Sequence, residues 1–370
     1  MISFIYKKII KPILFLFPAD DVHTFFLKRG YILGNLKYAK KLLGKILPYK
    51  NTILEQNILG IDFINPIGLS AGFDYNADLI GILPSVGFGF HTIGTVTNMP
   101  YQGNPKPMLD RLPRSKSLLV NKGFKSSGID FVLKKINKKK KSIPLGISIG
   151  ATNQSYKSIE DMTMDVYNCF EKSLAADYFD YFELNISCPN LINSQNLKEK
   201  FDDPIGFKIL LDNLSKLNIN KPLFLKMHAE KSIEDSLVLL SIANNYKWIS
   251  GIIMSNLVKN RENKSFYKEE IVSAGRGNFS GKPTEEFSNN LISEVYKNYK
   301  GRFIIIGTGG VFSGVDAYEK IKRGANLVQM ITGMVYEGPS VIGKINKELA
   351  VLLKKDGFNN IKEAIGTKKY

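Results

Sequence analysis

Cysteine is scarce. The 370-residue chain has two, Cys169 and Cys188, too few for a disulfide framework or for a four-thiolate zinc or iron–sulfur site. Its three histidines (His23, His91 and His228) share no metal-ligand spacing, so no metal site is expected. No stretch approaches the roughly 20 apolar residues needed to span a bilayer. The longest apolar run near the start, Pro12 to Pro18, is flanked by Lys11 and Asp20, and no signal-type h-region with a cleavage site is visible. A soluble or peripheral protein is expected, and the cysteine count fits a reducing compartment. Hydrophobic residues make up 44% of the chain, enough for a full core in one large domain or two ordinary ones, which excludes wholesale disorder.

Acidic residues are also in deficit: 34 Asp and Glu against 51 Lys and Arg, a net charge of +17. Nucleic-acid binding wants such charge clustered on one face. Here the lysines are spread along the chain, which fits compositional drift, and no nucleic-acid partner is expected. Residues 1–50 are different, with ten basic residues and two acidic ones beside large apolar residues at helical spacing, among them Ile9, Ile13, Phe17, Phe25 and Tyr31. That pattern suits a helical pair lying on an anionic membrane surface. A helical cap packed on its own domain would give the same pattern.

After Lys50 the sequence turns to short, almost continuous apolar runs, each followed by a longer helix-like stretch. The runs are Ile67–Phe73, Phe90–Val96, Leu145–Gly150, Tyr181–Ser187, Leu223–Met227, Gly251–Ser255, Phe303–Gly307 and Leu327–Ile331. Continuous apolar character marks parallel strands buried on both faces. Eight such alternations between residues 67 and 331 match the ~250 residues typical of a (β/α)8 barrel. A doubly wound sheet would carry Gly-x-Gly-x-x-Gly after its first strand, whereas this chain reads Ser70-Ala71-Gly72-Phe73-Asp74. The expected fold is α/β, a (β/α)8 TIM barrel over 51–370 with an N-terminal helical extension over 1–50. Ile53–Ile64 reads as a hairpin closing the barrel floor.

In a barrel, reactive groups project from the C-terminal strand ends. Gly307-Thr308-Gly309-Gly310 after the seventh strand and Thr332-Gly333 after the eighth suit an anionic phosphate, although turn glycines alone would look alike. Strand four runs into Asn185-Ile186-Ser187-Cys188-Pro189-Asn190. Its two amides suit a flat imide-like heterocycle, and Cys188 at a strand end suits a proton-transfer base. Cys169, inside a helical run, reads as a packing residue. Strand five ends on Lys226, and burying a lysine without a partner is costly, so a bound anion or electron-rich ring is expected there. Strand six ends Ser255-Asn256. The stretches Gly103–Pro107 and Phe279–Pro283 read as rigid loops walling a pocket.

Taken together, these motifs resemble the dihydroorotate dehydrogenases, flavin (FMN) enzymes of pyrimidine synthesis. The resemblance rests on Asn65-Pro66-Ile67-Gly68, Ala71-Gly72-Phe73-Asp74, Ile93–Thr97, Gly103-Asn104-Pro105, Asn185–Asn190, Ser280–Pro283 and Gly309-Gly310, in that order. Lys11-Pro12 to Phe15, then Pro18 and His23, are similar to the helical extension of the membrane-associated, quinone-reducing class. The resemblance implies oxidation of (S)-dihydroorotate to orotate, with hydride passing from C6 to flavin N5 and a base taking the C5 proton. Electrons then pass to a membrane quinone. It implies FMN contacts from Ala71, Gly72, Gly94, Thr95, Ser148, Asn185, Lys226, Ser255, Ser280, Gly281, Gly309, Gly310 and Thr332. Substrate contacts fall to Tyr75, Asn121, Lys122, Phe124, Asn185, Asn190 and Asn256, and the quinone site to His23 and Arg111. Peripheral attachment to the cytoplasmic side of a bacterial inner membrane is expected.

Several positions depart from the family. Cys188 stands where the membrane class has a serine base. Tyr75 replaces the usual lysine after Gly-Phe-Asp, Val120 an asparagine, Ser148 another asparagine, and Ile331 a tyrosine common near the quinone tunnel. Asn121 and Lys122 are expected to supply the missing amide and cation. Alternatives are a relative acting on another dihydropyrimidine or acceptor, and a basic binding protein that keeps the flavin fold without turnover.

Overall fold

A computed structural model describes residues 2–137, 139–186, 197–228, 231–254 and 256–368. The eight apolar runs form β1 (Ile67–Leu69), β2 (Phe90–Val96), β3 (Leu145–Ile149), β4 (Tyr181–Asn185), β5 (Leu223–Lys226), β6 (Ile249–Met254), β7 (Ile304–Thr308) and β8 (Leu327–Met330). They are parallel and close into a barrel in chain order, β8 pairing back onto β1 through Val328 and Ile67. Helices such as Ile159–Ala175, Ile233–Asn244, Glu285–Tyr299 and Gly314–Lys322 fill the intervals.

Alternation along each strand sorts its side chains into two sets. One set, including Ile147, Phe182, Leu225 and Ile252, packs under the helices. The other points into the barrel and is layered. At the bottom, Phe90, Tyr181, Phe224, Ile253, Ile306 and Leu327 form an apolar plug. The next inward positions, Thr92, Glu183 and Gln329, are polar and fully buried, and above them stand Asn185, Lys226 and Thr308. The floor is the expected hairpin, Gln56–Ile58 paired with Ile61–Phe63, and it sets Phe63 edge-on against Phe90 at 5.4 Å between ring centroids.

A three-stranded antiparallel sheet lies over the open end, formed by Leu109–Leu112, Ser117–Val120 and Asn278–Gly281. Asn278–Gly281 falls where the sequence suggests a rigid loop. Its pairing is with a strand about 160 residues away in the chain, which local composition does not reveal; the loop proper begins at Gly281, whose φ is +86°.

Residues 2–46 are helical apart from short breaks at residues 16–18 and 36. Helix Ala19–Asn35 packs on the barrel where Gly34 meets Gly81. A Cβ on Gly34 would stand 3.1 Å from the Gly81 carbonyl carbon. Leu27 and Leu43 join the same apolar cluster as β1 and β8. The extension is therefore seated on the barrel, yet it leaves Phe4, Ile9, Ile13, Leu16, Phe17 and Phe25 exposed. Among the described residues no helix is long and apolar enough to cross a membrane.

Phe63→Ala, far from the open end, should cost about 3–5 kcal/mol, as expected for truncating a buried aromatic residue. The expected readout is a lower thermal midpoint with ligand binding at the open end intact.

Candidate active site

A cavity of 310 Å³ opens at the C-terminal ends of the strands and continues beneath the N-terminal extension. Its base is set by a chain of amides and hydroxyls from the ends of β2, β3, β4 and β6. Ser148 Oγ and Thr95 Oγ1 lie 3.0 Å apart. Asn185 Nδ2 donates to Thr95 Oγ1 at 3.1 Å, and Asn256 Nδ2 donates to Asn185 Oδ1 at 3.3 Å. This belt fixes the rotamers of Thr95, Asn185 and Asn256, which line the cavity with Lys226. Ser148 stands behind Thr95 and does not line the cavity, and neither does Gly94. Cys188, Asn190 and Ser255 lie outside the described residues.

Directly below Lys226 is a group the strand pattern conceals. Glu183 Oε1 accepts hydrogen bonds from Thr92 Oγ1 and Gln329 Nε2, both at 2.6 Å. Burial raises its pKa, and the Lys226 charge is the largest influence opposing that rise. A carboxyl and an ammonium thus share the dry interior beneath the cavity.

The phosphate-type end is built from loops. Gly281, Gly309 and Gly310 line the cavity with φ of +86°, +91° and +71°. At Gly310 an added side chain would also strike Glu285. Such loops present backbone N–H groups to an anion. Ser280 Oγ and Thr332 Oγ1 meet at 2.8 Å beside them. Thr284 donates to the Gly281 carbonyl at 2.8 Å and holds the turn.

The loop after β1 carries Ala71, Gly72 and Tyr75 into the cavity. Asp74, wholly buried, anchors it by accepting from the Asp78 and Leu79 N–H groups at 2.8 and 2.9 Å, with His91 Nε2 at 3.3 Å. Burial opposes its charge, but the His91 contact and those N–H donors hold its carboxyl below the ordinary range. The Gly94 N–H in turn donates to the Asp74 carbonyl at 2.9 Å, so Gly94 joins this loop to β2.

Tyr75 is 7% exposed, and its hydroxyl has no partner among the described residues. Lys122 places Nζ 4.3 Å from the centre of the Tyr75 ring, a cation–π contact. Lys122 is itself 8% exposed, and burial pushes its pKa down to about 7. The expected cation therefore stands beside Tyr75 in the cavity. Asn121 does not: its Oδ1 accepts from Asn104 Nδ2 at 2.8 Å, and it pins the loop instead of lining the cavity. Asn104, in the Gly103–Pro107 stretch, is likewise a support behind the wall. Next along, Phe124 adopts φ +63°, an unfavourable region for a bulky side chain. Its ring lies over Gly150, where a Cβ would stand 2.6 Å away.

The extension closes the far end. His23 Nε2 lies 2.9 Å from the Phe73 carbonyl, which makes that nitrogen the N–H donor. Its ring meets Phe73 and Tyr75 edge-on, and burial lowers its pKa to about 3, so the imidazole stays neutral. Arg111 donates from Nη1 to the Phe17 carbonyl at 2.9 Å and stacks 4.6 Å from the Phe15 ring centre. Asp20 accepts from the Met108 and Leu109 N–H groups at 2.8 and 3.2 Å, which joins helix Ala19–Asn35 to the sheet over the cavity.

Residues 53–353 match the dihydroorotate dehydrogenase family. A dihydroorotate dehydrogenase (quinone) from Nostoc punctiforme is 33% identical, with 98% of each chain covered. One from Christiangramia forsetii is 35% identical, over 93% of this chain and 98% of that one. A crystal structure of DHODH from Eimeria tenella, in complex with ferulenol, superposes with a TM-score of 0.75 at 26% identity, over 90% of this chain and 95% of that one. The chain belongs to the dihydroorotate dehydrogenase family.

Proposed function

We propose that the chain oxidises (S)-dihydroorotate to orotate, the redox step of pyrimidine synthesis, with FMN as cofactor and a membrane quinone as acceptor. The observation that carries this reading is one cavity with strand-end amides and Lys226 at one end and His23 and Arg111 of the quinone end at the other. A donor and an acceptor can thus reach the same centre from opposite sides. Residues 51–370 form the catalytic barrel, and residues 1–50 the membrane- and quinone-facing segment.

The donor set fits FMN. Loop N–H groups at Gly281, Gly309 and Gly310, with the Ser280 and Thr332 hydroxyls, suit its phosphate. Ala71, Gly72 and Thr95 leave a narrow slot for a flat ring. Bound there, FMN supplies the two-electron chemistry. Lys226 stabilises negative charge at that end of the cavity, with the charge of Glu183 in the layer below. Asn185, Asn190 and Asn256 present amides that match the edge of a pyrimidine, and Cys188 takes the C5 proton. Lys122 supplies the cation for the substrate carboxylate that Tyr75 cannot. His23, neutral and aligned by Phe73, and Arg111 order the quinone end. The exposed apolar residues of helix Ile2–Ile5 and its continuation to Phe17, beside Lys7, Lys8 and Lys11, suit peripheral attachment to the cytoplasmic side of a bacterial inner membrane.

Anaerobic addition of dihydroorotate should bleach the flavin absorbance, and a short-chain ubiquinone should restore it. Bound flavin that dihydroorotate leaves oxidised would point to another dihydropyrimidine, and a chain that takes up no flavin would end the enzyme reading.

Lys122→Ala should raise KM for dihydroorotate about tenfold or more, a loss of roughly 1.4 kcal/mol, while flavin stays bound. Unchanged affinity and turnover would remove Lys122 from the site. Because burial favours the neutral amine and a carboxylate needs the ammonium, wild-type affinity should fall as pH rises above about 7. The Lys122→Ala variant should lack that limb in a pH series of KM. Cys188→Ala should abolish bleaching, and wild-type bleaching should quicken toward a thiol-like pKa of ~8.5. Arg111→Ala should slow reoxidation by quinone and leave bleaching by dihydroorotate unchanged, which stopped-flow measurement of the two halves separates.

A further inference from the structure

A third buried ammonium, after Lys122 and Lys226, lies outside the barrel wall, behind the glycine loop that follows β7. Lys320, on helix Gly314–Lys322, is wholly buried. Its stem crosses the outer face of β7 at Gly307, where an added Cβ would stand 3.0 Å from Lys320 Cδ. Nζ donates to Ser288 Oγ at 3.0 Å and to Asn289 Oδ1 at 2.9 Å. Ser288 Oγ in turn lies 2.6 Å from the Thr308 carbonyl and 3.2 Å from that of Met254. One ammonium and one hydroxyl therefore brace the ends of β6 and β7, and Thr308 is the residue immediately before Gly309-Gly310.

Both acceptors of this ammonium are neutral. The charged groups that act on it most strongly are Glu285 on the helix packed against it, Asp316 and Glu319 on its own helix, and Arg323 just beyond that helix. Glu285 is engaged by Lys282, and Glu319 by Arg323 and Lys368. Burial lowers the Lys320 pKa to about 7, and those carboxylates only partly oppose the fall. A cation withdrawn from water with neutral acceptors is costly unless an opposite charge is near. Glu285, Asp316 and Glu319 offset that cost only in part, and the anion-binding loop that the same ammonium braces is a further place for negative charge.

We propose that Lys320 is a positioning residue and remote counter-charge for the phosphate of the bound flavin nucleotide, acting on Gly309-Gly310 through Ser288 and Thr308. The proposal rests on the FMN reading above. It explains why a lysine, and not an apolar residue of equal length, fills the space beside Gly307. It also gives Ser288 a role beyond capping two strands.

The test compares FMN with riboflavin, which differs by the phosphate. Each is titrated into the flavin-depleted full chain and followed by quenching of flavin fluorescence. Lys320→Met should weaken FMN about tenfold, the scale of a single charge acting across a few residues of protein, and leave riboflavin affinity unchanged. Wild-type FMN affinity should decline as pH rises above about 7, and the methionine variant should lose that decline. Ser288→Ala, which keeps the charge and removes the brace, should show a smaller loss with the same preference for FMN; it serves as the readout if Lys320→Met fails to fold. Equal losses for the two flavins, or unaltered FMN affinity in a folded variant, would overturn the proposal. Wild-type chain that binds neither flavin would overturn the FMN reading, and this one with it.

Discussion

Every barrel strand is buried on both faces, so a polar side chain on one of them must find its partner inside the protein or in what the protein binds. That constraint organises the molecule. At the bottom it is met by exclusion, because inward positions there are aromatic and aliphatic and the hairpin carrying Phe63 seals them. One layer up, Thr92 and Gln329 both donate to Glu183 Oε1, while Glu183 Oε2 and Gln329 Oε1 have no hydrogen-bond partner among the described residues. At the top, Thr95, Asn185 and Asn256 hold one another in line along the cavity wall. Polarity rises along the barrel axis, and chemistry becomes possible where the strands end.

The cations fit the same logic. Lys122, Lys226 and Lys320 are all removed from water around one cavity, in a chain already rich in positive charge. A buried ammonium destabilises the empty site, and an arriving anion relieves that destabilisation. The three stand at different points, with Lys320 behind Gly309-Gly310, Lys226 at the base and Lys122 beside Tyr75. Glu183 moderates the field at the base, where unopposed charge would sit closest to the reacting centre.

Much of this was legible in the sequence. The eight strands stand out because burial on both faces leaves an uninterrupted apolar run, and glycine-rich strand ends mark the open face. The runs overshoot their strands at several ends. The first reaches Phe73, whereas β1 stops at Leu69, since apolar character continues into the loop that faces the ligand. Ser148 and Asn121 share a different difficulty. Matching positions to a family identifies what lies near a cofactor, but both side chains are spent on neighbours, Thr95 in one case and Asn104 in the other. Glu183 and Lys320 are hidden for opposite reasons. A lone acid in an apolar strand gives no sign of its partners on β2 and β8, and a lysine in an amphipathic helix reads as solvated surface until packing turns it inward. The Asp74–His91 contact joins residues 17 apart in the chain and follows from no local pattern.

Tyr75 and Lys122 join two walls of the cavity. Tyrosine after Gly-Phe-Asp removes a charge from the loop that Asp74 fixes, and the phenol it introduces cannot neutralise a carboxylate. Lys122 comes from the other wall, on a loop held by Asn104 and braced by the strained Phe124, and it rests its ammonium on the tyrosine ring. The ring's negative face partly offsets the loss of water around that ammonium, and His23 packs against another edge of the same ring. Tyr75 is thus a shared wall of the cavity, with the Lys122 cation on one side and the neutral His23 imidazole on the other. The cation that the Tyr75 loop lacks is present on the opposite wall, and the extension packs through His23 against the same tyrosine.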